Sequence, residues 1–414
     1  MLFFIGRLIS PLLSLSLFFT GSSLLFTVLA LVLRERGTSL YWVAGLTSFF
    51  YGGYVLSAMY IERFIVRVGI IRAQATFASL TTVTTLLHIF LKSPALWLLL
   101  RFLYGVGMAG LCLSIQNWLL NQSDGNGIRG RILAVYMMVM YASQSFGQYL
   151  LKYFDMGMLT PFCGAALCTA LCIIPVTITR VSAPSFGKHR IFGLGTVFSL
   201  SPLGATGALA SGIVLGSVYG IVPIVLREWQ YSLEQISTVM SLIIIGGMVF
   251  QYPVGKLSDG IGRQTVLLMV AVGALSLTLF SLIAHEVHCY RGFVWLSLLW
   301  GGTLFTLYPL SMNLACDRVT SDDLLATTGG LMLAYSLGAS VGPFMAAFVV
   351  KMMGGMGLYL LFSGVLAVVV GWASRCLRVG LPSGSRQKPY ANLPLHNGIS
   401  PAIARAFSRL KGNR

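Results

Sequence analysis

Acidic side chains are scarce in this sequence. There are 11 Asp and Glu against 28 Lys and Arg in 414 residues. The eleven are Glu35, Glu62, Asp124, Asp155, Glu228, Glu234, Asp259, Glu286, Asp317, Asp322 and Asp323, all in turns or near the ends of apolar runs. No carboxylate therefore stands ready for proton exchange deep inside a run, and any coupling to an ion has to pass through a group at a run's end. Cysteine and histidine are also sparse. Seven Cys form no C-x-x-C pair, and Cys168 and Cys172, which share a helical face, read as small residues at a helix contact. Five scattered His give no ligand spacing, so no metal is expected. No polar segment is long enough for a catalytic domain, and no run carries a nucleophile with its base. Neither an enzyme nor a bound cofactor is expected.

What the chain has in abundance is apolar surface. It is 56% hydrophobic and 9% charged, with a mean hydropathy of +0.83. A chain of this composition belongs in a bilayer. Runs of roughly 20 apolar residues, enough to cross about 30 Å of hydrocarbon, recur throughout. The predicted spans are 8–33, 41–61, 73–91, 95–119, 132–151 and 159–179, then, after a polar stretch, 203–226, 236–257, 266–284, 293–315, 325–350 and 358–377. The first is too long for a signal-peptide core and has no small-residue cleavage site behind it, so it is expected to stay as a span.

Twelve crossings return the chain to its starting side. That side carries 20 Lys and Arg, the other 7, and Arg101 lies inside a span. The positive-inside bias thus predicts both termini in the cytoplasm. It also accounts for most of the net charge of +17 without nucleic acid.

The two sets of six spans look like copies. Gly69 and Gly262 each follow the second span of a set, 193 residues apart, and the same offset lays 8–33 onto 201–226 and 132–151 onto 325–344. The reading is all-α: twelve transmembrane helices in two pseudo-symmetric six-helix bundles, residues 1–180 and 202–378, with a loop at 181–201 and a basic tail at 379–414. Parallel repeats of this kind place a binding site near the midplane.

The turn after the eighth span, GKLSDGIGRQT (255–265), spends a lysine, an aspartate and an arginine between two apolar runs. It resembles the G-x-L-x-D-x-x-G-R signature of the major facilitator superfamily, and RFLYGVGMA (101–109) resembles that family's fourth-helix pattern R-x-x-x-G-x-G-x-A. QNWLLN, RGRILAVYMMVMYASQSFGQYLL, SGIVLGSVYGIVP and FTLYPLSMNLACDRV are similar to its bacterial YcaD-type branch. The resemblance implies a transporter of a small solute working by rocker-switch alternating access. It also implies a cytoplasmic gate in which Asp259 and Arg263, with Gly255 and Gly262 shaping the turn, engage the start of the fifth helix near Arg131. The bland alternative is a turn that obeys the charge bias and caps helices. In the first half only Gly69 and the basic character survive: Glu62, Val66 and Ile70 stand where Gly255, Asp259 and Arg263 do. The gate is expected to be lopsided, which leaves open a second reading, a non-transporting membrane sensor or assembly factor on the same fold.

Arg101 is the one strong charge inside a span, a candidate for substrate contact or structural coupling, with snorkelling as the rival. Gln116 lies within about 60° of the same face. The resembling branch commonly carries a glutamate there, and a glutamine cannot exchange a proton, so coupling would move to Asp317, Glu62 or His88. Ser16, Thr20, Ser23 and Thr27 form one helical stripe, Tyr141, Gln144 and Gln148 a second, and Thr306, Asn313 and Asp317 a third. Such faces turn inward in lipid. The glutamines are expected to line a cavity, whereas the first stripe serves either packing or ligand. The family resemblance adds Tyr219 and Asn313 to the cavity. Ser400 and Pro401 open a short amphipathic tail segment suited to anionic lipid, with plain disorder as the alternative. A monomer in the bilayer is expected.

Overall fold

The structure is a computed structural model, and it describes residues 2–58, 60–121, 128–154, 159–178, 193–287, 290–319 and 323–378. The tail and most of the central loop fall outside the described residues. All regular structure among the described residues is helical. Nine helical stretches there are long and apolar enough to cross a membrane. The other three predicted spans are helices too: α2 (Leu40–Ala58), α4 (Ile70–Phe90) and α6 (Ile128–Leu150). Of these, α4 carries five threonines, and it shows how such residues are tolerated. Its hydroxyls fold back on the helix, Thr81 donating to the carbonyl of Ala78 (2.9 Å), Thr84 to Leu80 (2.8 Å) and Thr85 to Thr81 (2.7 Å). Each such hydroxyl is satisfied before it meets lipid or a neighbour.

The remaining first-half helices are α1 (Leu2–Glu35), α3 (Ile61–Val68), α5 (Pro94–Asn121), α7 (Thr160–Leu171) and α8 (Ile174–Thr177). The second half holds α9 (Leu194–Leu200), α10 (Pro202–Gly220), α11 (Val222–Glu228), α12 (Leu233–Ile261), α13 (Arg263–Glu286), α14 (Tyr290–Cys316), α15 (Leu324–Met353) and α16 (Gly355–Arg378). The helices pack into two compact units. One holds the described parts of Met1–Leu29 and Phe49–Arg190, the other Ala30–Ser48 with the described parts of Ile191–Asn392. Chain order alone places 30–48, the hairpin joining α1 to α2, with the first half. Its polar groups put it with the second: Arg34 pairs with Glu228, Arg227 with Glu35, and Ser48 donates to the carbonyl of Ser340.

Each unit carries the same helix crossing. In the first, a Cβ on Gly53 would fall 2.0 Å from the carbonyl oxygen of Phe102, and one on Gly105 would fall 2.1 Å from that of Phe50. In the second, Gly246 meets Leu298 at 1.8 Å and Gly301 meets Ile243 at 1.9 Å. Residues on α2 map to α12 at an offset of 193, and those on α5 map to α14 at 196. Gly69 and Gly262, at φ 89° and 94°, turn the chain between the second and third helices of the two halves. Only glycine adopts that backbone cheaply. The internal repeat read from the sequence is thus a repeat of geometry.

Candidate functional site

The charged turn is built around Arg263, which opens α13 and is 1% exposed. Its Nη1 donates to Oδ1 of Asp317 at 2.7 Å and to the carbonyl of Asn313 at 2.8 Å, while Nη2 stands 3.6 Å from Asp259. Asp317 is 4% exposed and Asp259 42%. The guanidinium therefore clamps the end of α14 to the start of α13, and Asp259, one turn back on α12, is the member of the cluster that meets solvent. These three contacts of Arg263 lie within its own unit. Gly255, buried, accepts a hydrogen bond from Ser258 at 2.8 Å, and Gly262 supplies the turn. The side chain of Arg131 lies outside the described residues. In the first half the positions in register are Val66, Ile70 and Asn121, so no charge cluster repeats there.

Asn313 serves α14 itself, its Nδ2 donating to the carbonyl of Pro309 at 2.7 Å. Pro309 has no N–H for the carbonyl of Phe305 four residues earlier. Gln251 of α12 supplies the missing donor, Nε2 to oxygen at 3.3 Å. Phe305 also meets Tyr219 edge to face, ring centres 6.1 Å apart. Tyr219 and Asn313 are both buried.

Arg101 is 1% exposed, so it does not snorkel. Its Cζ stands 4.1 Å from the ring centre of Phe26, 4.8 Å from Phe50 and 5.3 Å from Tyr104. Three π faces thus solvate one guanidinium, each worth about 0.5–2 kcal/mol. Tyr104, one turn on from Arg101, could have been suspected from spacing. Phe26 and Phe50 come from other helices, and nothing in the sequence connects them to it. The position in register in the second half is Ser297.

The two polar stripes meet each other. Ser143 donates to Ser16 Oγ at 2.8 Å, Ser23 to the carbonyl of Gln144 at 2.6 Å, and Thr27 to Oε1 of Gln148 at 2.8 Å. Thr20 reaches the carbonyl of Ser143 at 3.3 Å, and Gln148 Nε2 donates to the carbonyl of Ser23 at 2.9 Å. Gln148, expected in a cavity, is spent on this α1–α6 seam and is fully buried. Gln144 and Tyr141 are buried beside it, 5% and 2% exposed. The matching seam of the second unit, α10 on α15, is richer in glycine. Gly212 and Gly216 approach Tyr335 and Ala339, and Gly338 and Gly342 approach Leu209 and Ile213. The first seam adds hydrogen bonds to one close approach, where a Cβ on Gly147 would fall 2.3 Å from the carbonyl oxygen of Thr20, whereas the second rests on four glycines.

Gln116 is 2% exposed, and neither atom of its amide has a hydrogen-bond partner among the described residues. His88 is likewise buried. Its Nδ1 lies 2.6 Å from the carbonyl of Thr84, and its ring stands edge to face with Trp97 at 5.1 Å. Among the described residues no cluster of His, Cys, Asp and Glu could hold a metal.

Known proteins resemble this chain in sequence and in fold. The family model described as Major Facilitator Superfamily matches residues 204–414. The MFS-type transporter YcaD of Escherichia coli is 29% identical over 364 residues, covering 86% of this chain and 92% of that protein. Its counterpart from Escherichia fergusonii is 29% identical over 271 residues, covering 65% and 69%. Among solved structures, the nucleoside transporter NupG superposes with a TM-score of 0.73 at 13% identity, covering 91% of this chain and all of that one. A point-mutant form of it gives 0.75 at 15% identity, covering 89% and 99%.

Proposed function

The chain belongs to the major facilitator superfamily, and on that premise we propose that its two six-helix repeats work as alternating partners around a small solute. It is a multi-pass membrane transporter. The solute's path, the coupling and the roles of single residues are our reading. The observation that carries it is the duplicated glycine crossing, Gly53 and Gly105 in one half and Gly246 and Gly301 in the other. A duplicated helical unit with one internal geometry suits exchange between two states. The repeats run 1–180 and 202–378, in a bacterial inner membrane, with both termini cytoplasmic as the Lys and Arg distribution favours. We take the protein to act as a monomer without a catalytic site, its basic tail lying on anionic lipid.

Within this reading the Arg263–Asp317 pair holds the cytoplasmic turn rigid, and Asp259 is the carboxylate that changes its surroundings as the protein cycles. Arg101 in its aromatic cage stiffens the first unit. Gln116 is the polar group we assign to the solute, its whole amide being without a hydrogen-bond partner among the described residues and offering both donor and acceptor. Reconstitution tests the reading: proteoliposomes should show counterflow of at least one solute from a panel of nucleosides, sugars, amino acids and carboxylates. The Gln116→Leu variant should lose most of that flux at unchanged insertion. Flux unaltered by Gln116→Leu would remove it from the path.

A further inference from the structure

The hairpin 30–48 and the second repeat enclose a cleft of about 290 Å³ whose lining includes Arg34, Ser39, Tyr41, Glu228 and Lys351. Gly37 turns the hairpin at φ 73°, and Thr38 closes it by donating to the carbonyl of Leu33 at 2.5 Å. Arg34 then reaches two ways, Nη1 to the carbonyl of Thr38 at 3.3 Å and Nη2 to Oε1 of Glu228 at 2.8 Å. Lys351 stands with its Nζ 5.7 Å from the ring centre of Tyr41, and no carboxylate among the described residues pairs with it. Beside the cleft, Arg227 and Glu35 make a second, looser pair at 3.7 Å.

The charge does not balance. Two cations face one carboxylate, and the flanking pair cancels. The Arg34–Glu228 pair is also exchangeable, since its side chains are 38% and 32% exposed, and water and salt leave pairs in that environment only weakly bound. A guanidinium held so loosely can turn its planar fork to another oxyanion. The nearby ammonium adds a second point charge, and the Tyr41 and Ser39 hydroxyls supply donors. A cation would meet net repulsion here, and a neutral solute would gain nothing from the surplus.

We propose that this cleft is an oxyanion site, taking a carboxylate or phosphate group between Arg34 and Lys351, with Glu228 as the internal competitor that the ligand displaces from Arg34. With both termini cytoplasmic it opens to the outside, where it would gather anions before transport. That use rests on the transporter reading, but the binding does not. The ligand is a free solute or the headgroup of an anionic lipid; the two share this chemistry and separate experimentally.

The test uses the full chain and two variants of opposite sign. Purified protein is titrated with inorganic phosphate and with succinate, chloride keeping the ionic strength constant, and binding is followed by calorimetry. Lys351→Gln should weaken either anion about tenfold, the effect of losing one charge-assisted contact. Glu228→Gln should tighten it several-fold, and Lys351→Arg should restore it. In nanodiscs, native mass spectrometry compares retention of phosphatidylglycerol with that of phosphatidylcholine for the same proteins. Opposite effects of the two variants on phosphate or succinate identify a free solute. The same opposition confined to phosphatidylglycerol retention identifies a lipid headgroup. Wild type and variants alike in both arms, or both variants shifting the same way, overturns the proposal. Because flux is not measured, that failure leaves the transporter reading standing, and absent flux with intact binding would remove the transport role alone.

Discussion

Arg263 Nη1 lies 2.7 Å from Asp317 Oδ1, and both side chains are almost wholly buried. Breaking such a pair from one side leaves an uncompensated charge, at a cost of about 3–5 kcal/mol. Asp317→Leu and Arg263→Met should each lower the thermal midpoint in detergent strongly. The double variant should recover most of the loss, because the pair itself contributes little against apolar replacements. Additive losses would show that the two side chains act separately.

Asp259 belongs to the same cluster but is 42% exposed, so its pair with Arg263 should contribute less than about 1 kcal/mol. Asp259→Asn is expected to leave the midpoint nearly unchanged while altering the reactivity of single cysteines placed at the two membrane faces. Unchanged reactivity would return the turn to a capping role.

The aromatic cage predicts a graded series. Phe26→Leu removes the nearest π face of Arg101 and should cost about 0.5–2 kcal/mol. Arg101→Lys should cost more than Phe26→Leu, since an ammonium cannot lie flat against three rings. Equal stability of wild type and Arg101→Lys would rule out the planar contact as the source of order here.

The two seams should fail in different ways. Gln148→Leu leaves the carbonyl of Ser23 and the hydroxyl of Thr27 to find other partners, at about 1–3 kcal/mol. Gly338→Ala places a methyl 2.2 Å from the carbonyl oxygen of Leu209. The backbones must then part, at about 1–3 kcal/mol or more. Temperature-dependent unfolding of both variants, with helix content checked before heating, measures the difference.

The fold was legible because apolar runs and the glycine-marked repeat are local, periodic signals. Gly69 and Gly262 stand out in the sequence and prove to share one backbone conformation. The site was legible only as residue types. The stripe through Ser16, Thr20 and Ser23 and the stripe through Tyr141, Gln144 and Gln148 are both visible, but periodicity gives a face and not its partner, so their mutual pairing was hidden. The same holds for Arg101, whose cage is assembled from three helices, and for Arg263, whose counter-charge lies 54 residues away. The hairpin's place with the second unit was out of reach for a related reason, since a count of spans assigns residues 30–48 by order alone.

That hairpin also has a schedule. Ser48 meets the carbonyl of Ser340, 292 residues further on, and at about 5–20 residues per second a ribosome needs about 15 to 60 s to make the intervening chain. For that interval Arg34 and Glu35 have emerged without Glu228 or Arg227, and then without the helix that carries Ser340. The nascent protein thus passes through a stage in which its first two helices are inserted but their connecting loop has no seat, a window in which membrane chaperones or proteases would meet it.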